Sequence, residues 1–178
     1  VKSSAASDVY KRQDGTTYFW DVTDPAQIRK IDSIQVDART VNDVKVSEDG
    51  RISVISREGA SSRRNGIVII DTTNPYDVNI ISEYTTNLTG GVHNVFIYQD
   101  HVFALSNGER FYVINIEDPK NPYEVGMFEI GEKGQAIHDV WIEDGIAYSS
   151  NWKHGVYIID VGNAVSYTHL RAHETRSD

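Results

Sequence analysis

Four short segments recur along this chain at nearly constant spacing, and no other feature limits its fold as tightly. They are TYFWDVTDP from Thr17, IVIIDTTNP from Ile67, FYVINIEDP from Phe111 and VYIIDVG from Val156. The shared positions Asp21, Asp71, Asn115 and Asp160 fall at intervals of 50, 44 and 45 residues. A second family interleaves with the first: VNDVKV from Val41, VHNVFI from Val92 and IHDVWI from Ile137. Each of these runs into a turn and then another apolar stretch: SEDG before ISVIS, YQD before HVFALS, and EDG before IAYSS. Asp-Gly between alternating apolar runs is a hairpin signal. Val, Ile, Tyr and Phe dominate, and no apolar i, i+3, i+4 stripe persists, so the segments read as strands.

One period thus holds four short strands, ending in a run such as VNIISEY or YEVGMFEI. A four-stranded sheet of roughly 40–45 residues is the unit of a β-propeller blade. Such a sheet buries neither face alone, and stacking on its neighbours buries both. That explains why the central strands are apolar almost throughout. Strand counting gives a half blade, two whole blades and three strands of another. The expected fold class is all-β: a β-propeller fragment of about three four-stranded blades forming an open arc. A β-sandwich would leave the period unexplained. Pro25, Pro75 and Pro119 each follow an Asp or Asn just after a strand, where the Asx side chain closes a turn and Pro stops the ladder.

The two ends do not share the repeat. Ser3–Gln13 reads SSAASDVYKRQ and Val165–Thr175 reads VSYTHLRAHET. Both match translations of one transposon adapter used in sequencing libraries, read in opposite orientations. The expectation is therefore a tail over residues 1–13, a partial propeller over 14–164, and a second tail over 165–178, with the tails set aside from fold reasoning. They hold more basic than acidic residues, so the middle is more acidic than the whole chain's net charge of −9.

The segments VIIDTTNP, YVINIEDPKNP, HDVWIEDGIAYSS and GVYIIDV resemble the LVIVD-repeat family of bacterial β-propellers across 14–164. There are departures. Of the family's second turn proline only Pro122 is present, with Ile28 and Val78 in the other repeats, and Trp20 replaces the usual aliphatic before Asp21. The resemblance implies a propeller fold, no assigned biochemical role, and an exported location in the periplasm, at the surface or outside the cell.

In a propeller the first strand of each blade lines the channel, and its entry end shares a rim with the loop between the second and third strands. That places Asn42, Asp43, His93, Asn94, His138 and Asp139 near the loops Ser56–Gly66, Ser106–Arg110 and Ser150–Gly155. Three readings stay open for the His/Asn–Asp/Asn pairs. They could tie blade to blade through hydrogen bonds, since a packing solution repeats while a site is usually built once. They could form a ligand pocket with Arg63, Arg64, Trp152 and His154. They could hold a metal, although no tight ligand spacing such as His-x-x-x-His is present, and no metal ligand is assigned. Phe96 and Trp141 share a repeat position and are expected to pack between blades. Asn87-Leu-Thr89 matches a glycosylation sequon and reads as an ordinary loop.

No nucleophile elbow, zinc-protease helix or phosphate loop appears. No cofactor is expected. The acidic charge argues against a nucleic-acid partner. No stretch approaches the ~18–20 apolar residues a membrane helix needs. Cysteine is absent, which excludes disulfides and thiolate metal sites. The expected function is a non-enzymatic binding or scaffold module engaging a small molecule, peptide or protein at the channel-mouth face, with self-association of the open arc. The alternative is a propeller enzyme acting on a small polar substrate there, with a general acid or base drawn from His93, His138 or Asp139.

Overall fold

The structure is a computed structural model that describes residues 15–129 and 136–162. The tails expected at 1–13 and 165–178 lie outside the described residues. Among the described residues, thirteen strands form four antiparallel meanders in chain order. The first sheet holds β1 (Thr16–Asp21) and β2 (Arg29–Gln35). The second holds β3 (Val44–Val46), β4 (Ile52–Arg57), β5 (Gly66–Asp71) and β6 (Asn79–Tyr84). The third holds β7 (Val92–Tyr98), β8 (His101–Ser106), β9 (Arg110–Asn115) and β10 (Tyr123–Glu129). The fourth holds β11 (Asp139–Glu143), β12 (Ile146–Ser150) and β13 (Val156–Asp160). The strand count read from the repeat is thus the one observed: half a blade, two whole blades and three strands of another. The fold is all-β and propeller-like. Among the described residues the only helical segment is a single 3-10 turn, Trp152–His154, and no helix is long and apolar enough to cross a membrane.

Strand register explains how the sheets stack. Cross-strand rows Lys45–Val54–Ile69, Phe96–Phe103–Val113 and Trp141–Tyr148–Ile158 occupy matching positions in successive sheets. Because side chains alternate between faces, each row lies on one side of its sheet. The adjacent rows, Val44–Ile55–Val68, Val95–Ala104–Tyr112 and Val140–Ser149–Tyr157, lie on the other. Three apolar layers result, one at each junction. Phe19, Ile34 and Val36 meet Ile55, Val68 and Ile70. Val54, Ile67 and Ile69 meet Val95, Ala104 and Tyr112. Phe96, Phe103, Phe111 and Val113 meet Val140, Ala147 and Tyr157. Within that last layer Phe111 is stacked on Phe128 at 5.1 Å and meets Phe103 edge-on at 5.8 Å.

The expectation for Trp141 requires correction. Phe96 is buried between sheets, but Trp141 is 59% exposed and touches Phe96 only edge-on, with ring centroids 5.2 Å apart. Its row faces away from the third sheet, and among the described residues no fifth sheet covers it.

The strand-end turns work as the sequence suggests. Asp21, Asp71 and Asn115 each accept the backbone N–H two residues on, at 2.9–3.0 Å. Asp24, Asn74 and Asp118 repeat the motif one turn later. These side-chain oxygens are occupied by local donors. In the β11–β12 hairpin, Asp144 (φ 50°) and Gly145 (φ 75°) both adopt the left-handed conformation of a type I′ turn.

Phe103→Ala is expected to cost about 3–5 kcal/mol, while Trp141→Ala, in the matching row of the fourth sheet but on an open face, should cost well under half of that in a urea titration. Hydrogen bonds from the Thr23 side chain and backbone, together with Arg29, hold the Asp21 carboxyl at about 2, below its ordinary 3.8. The Arg51 backbone N–H, the Ser47 hydroxyl and the Arg51 side chain do the same for Asp49, also at about 2. A depressed carboxyl stabilises the fold fully above its unfolded value and ceases to do so as pH falls through its folded one. Melting temperature should therefore fall between about pH 4 and pH 2, and Asp49→Asn should flatten part of that slope.

Candidate functional site

The rim formed by the entry ends of β7 and β11 and by the β4–β5 and β12–β13 loops gathers aromatic and carboxylate groups across two junctions. His93 lies within β7 at a bulge, where the pairing with β8 shifts between Val92 and Asn94. A bulge adds a residue that the ladder does not pair and so re-aims its side chain. The His93 ring comes within 5.5 Å of the His138 ring on the next sheet, centroid to centroid. His138 in turn meets the Trp152 ring edge-on at 4.5 Å. At the other end of the row, His93 Nδ1 lies 4.0 Å from Glu58 Oε1. The result is a continuous line, Glu58–His93–His138–Trp152, that crosses from the second sheet to the fourth.

Local backbone geometry supports both ends of this line. Glu58 is held by its bridge to Thr40 and by the Arg39 N–H. Gly91 (φ 104°) leaves room for it, since a Cβ there would come within 3.0 Å of Glu58 Cγ. Trp152 has φ 39°, in the left-handed region, at the repeat position where Asn107 sits at φ 55°. Asn tolerates that conformation, whereas a bulky residue there is strained by on the order of 1–3 kcal/mol. Its side chain is nevertheless 69% exposed, so burial does not offset that strain.

Asp43 and Asn94 play another part. Asp43 Oδ2 accepts from Asn94 Nδ2 at 2.8 Å and from the Val95 N–H at 3.0 Å, clamping the second sheet to the third. Its other oxygen accepts from the Val44 N–H and pairs with Lys45 at 3.2 Å. The homologous Asp139, among the described residues, accepts only the Val140 N–H, at 2.7 Å. The tie is thus made at one junction and not repeated at the next, because Asn94 offers an amide where Asp43 offers a carboxylate. Among the described residues, Asn42 Nδ2, Arg57 Nε, Asn94 Oδ1 and Ser106 Oγ are buried at this end without a partner. Buried polar groups are ordinarily satisfied, so a cluster of exceptions calls for water or a ligand.

Of the residues expected from sequence, the structure joins His93, His138 and Trp152, and separately Asp43 with Asn94. Arg64 and His154 are exposed on their loops. Glu58 carries no signal in the sequence beyond membership of the Ser56–Gly66 loop. No group of three or more His, Cys, Asp or Glu side chains among the described residues could hold a metal. At the opposite end of the second and third sheets lies a cleft of about 570 Å³ lined by Glu48, Arg51, Ile81, Asp100, Glu117 and Lys120.

No family model matches this chain, and no curated protein does. Among solved structures, it is similar to a crystal structure of a protein from Lactobacillus plantarum, with a TM-score of 0.71 and 10% identity, over 92% of this chain and 51% of that one. The chain thus spans about half the length of that protein. At this identity the likeness shows the propeller-like fold alone.

Asp43→Ala would strand Asn94 Nδ2 and the Val95 N–H at a buried junction. It should cost about 1–3 kcal/mol in chemical denaturation, whereas Asp139→Ala should cost less than half as much.

Proposed function

We propose that this protein is a non-catalytic binding module whose ligand engages the rim along Glu58–His93–His138–Trp152. The observation that carries the reading is Trp152, a large aromatic side chain kept exposed in a strained backbone conformation and aligned with two imidazoles. The loop takes this left-handed conformation at Asn107 as well, but an exposed tryptophan in it has no folding rationale, and such outliers cluster at ligand clamps. Four buried polar atoms without partners at the same end support the reading. An aromatic edge flanked by imidazoles and a carboxylate suits a small polar ligand or peptide segment with a planar or cationic group, which could stack on Trp152 and donate to Glu58. The chain's net charge of −9 would favour the approach of a cationic group. The LVIVD-like repeat motifs support placing the module in an exported bacterial protein.

The test is a nuclear magnetic resonance screen of the full chain with indole, guanidinium, amine and sugar fragments. Shift changes should centre on His93, His138 and Trp152. Changes centred instead on the opposite cleft, around residues 47–51 and 116–120, would overturn the proposal. Trp152→Asn provides a second check. It should hold or raise stability, by up to about 1 kcal/mol, while weakening binding of any fragment hit at least about tenfold. Unchanged affinity in that variant would also contradict the reading.

A further inference from the structure

The cleft at the end opposite the rim opens between the second and third sheets, each of which has its four strands in place. Its floor is the margin of the apolar layer at that junction: Ile116 is buried, while Ile52 and Ile81 are partly buried, packed on the core and open to the cleft. Its walls are the turns that end the strands, β3–β4 and β5–β6 on one side, β7–β8 and β9–β10 on the other. Those turns are held from within. The Ser47 hydroxyl donates to Asp49 at 2.7 Å and accepts the Ile52 N–H at 3.0 Å, and the Thr72 N–H donates to the Arg51 carbonyl at 2.8 Å. Across the junction the Ser82 hydroxyl donates to the Pro119 carbonyl at 2.6 Å. The volume of about 570 Å³ falls within the roughly 300–1,000 Å³ typical of ligand pockets, and walls fixed in advance spare a ligand the entropy of ordering them.

The charges around this apolar floor select the ligand. Arg51 is engaged by Asp49, with Nε 2.6 Å from Oδ2, and Asp71 accepts the Thr73 N–H. Glu48 on the second-sheet wall, and Asp100 and Glu117 on the third-sheet wall, are exposed. Among the described residues, none of these three carboxylates accepts a hydrogen bond or forms an ion pair. They do not converge closely enough to hold one metal ion, so the negative charge is spread along the cleft. A compact cation would also leave the isoleucine floor unused. Carboxylates on both walls of an apolar floor are complementary instead to a linear chain with a cation at each end.

We propose that this cleft is a second binding site, for a linear aliphatic diamine or polyamine. The methylenes lie on Ile52, Ile81 and Ile116, one ammonium faces Glu48, and another faces Asp100 and Glu117. Its ligand chemistry differs from that of the rim, where an aromatic edge suits a planar group. Lys120 also lines the cleft and repels such a ligand, so neutralising it should strengthen binding.

The test is titration of the full chain with spermidine at near-physiological salt, followed by calorimetry and by amide shifts. Shifts should centre on residues 47–52, 99–101 and 116–120 and leave His93, His138 and Trp152 unmoved. Glu48→Gln, Asp100→Asn and Glu117→Gln should each weaken binding about three- to fivefold, and Lys120→Gln should strengthen it by a similar factor. All four side chains are exposed, so the variants should keep the wild-type circular dichroism. Cadaverine should bind at least about threefold more tightly than diaminopropane, because its two further methylenes cover apolar surface. Absence of binding would overturn the proposal. So would magnesium ion binding as tightly as spermidine, which indicates an acidic surface alone, or a tri-lysine peptide binding more tightly, which indicates a protein segment as the occupant. The two sites fail separately: silence here leaves the rim as it stands, and amine binding here leaves the rim to be decided by the indole and guanidinium fragments.

Discussion

Every sheet in this protein has two apolar faces and too few strands to shield either one, so burial between neighbouring sheets is the interaction on which the rest depends. Burying apolar area contributes roughly 25 cal/mol per Å². A two-stranded ribbon or a lone meander cannot collect enough of it to offset the conformational entropy of its residues. The strict alternation of side chains along each strand solves this by sending one row forward and the adjacent row back. Phe103 can then pack toward the fourth sheet while its neighbour Ala104 packs toward the second. A slip of one residue in any strand would exchange those rows, so the packing also fixes register.

The rim inherits its geometry from that stacking. His93 and His138 sit on different sheets and meet only because the third junction brings β7 and β11 side by side. The bulge at His93 and the left-handed backbone of Trp152 then adjust the row, one within it and one at its end. Asp43 has a different role, since its carboxylate is occupied in clamping the second junction. One repeat position thus serves as a fastener at one junction, whereas at the next, among the described residues, Asp139 accepts the Val140 N–H alone. Divergence of a single side chain, Asp43 to Asn94, is enough to separate those roles.

Much of the architecture was legible in the sequence. The spacing of Asp21, Asp71, Asn115 and Asp160 gave the blades, the Asp-Gly turns gave the hairpins, and the Asx-Pro pairs gave the strand ends. These signals are local, and local chemistry decides them. The rim was legible only as a set of candidates, because which loop side chains converge depends on how far each loop leans. Glu58 reaches His93 across a gap that Gly91 leaves open, whereas Arg64 and His154 stay exposed on their loops. Trp141 illustrates a further limit: its repeat position signifies burial, but burial requires a following sheet, and a position in the repeat does not report one. Motif resemblance suggested a family, while the structural likeness, at 10% identity, supports the fold and not the motif.

Amide hydrogen exchange resolved strand by strand measures the central claim, that contact between sheets holds the molecule together. Protection should be greatest in β4, β5, β8 and β9, the inner strands of the two sheets covered on both faces, and should fall markedly in β11 to β13, which are covered on one. Equal protection across all four sheets, or a maximum in the fourth, would contradict the account.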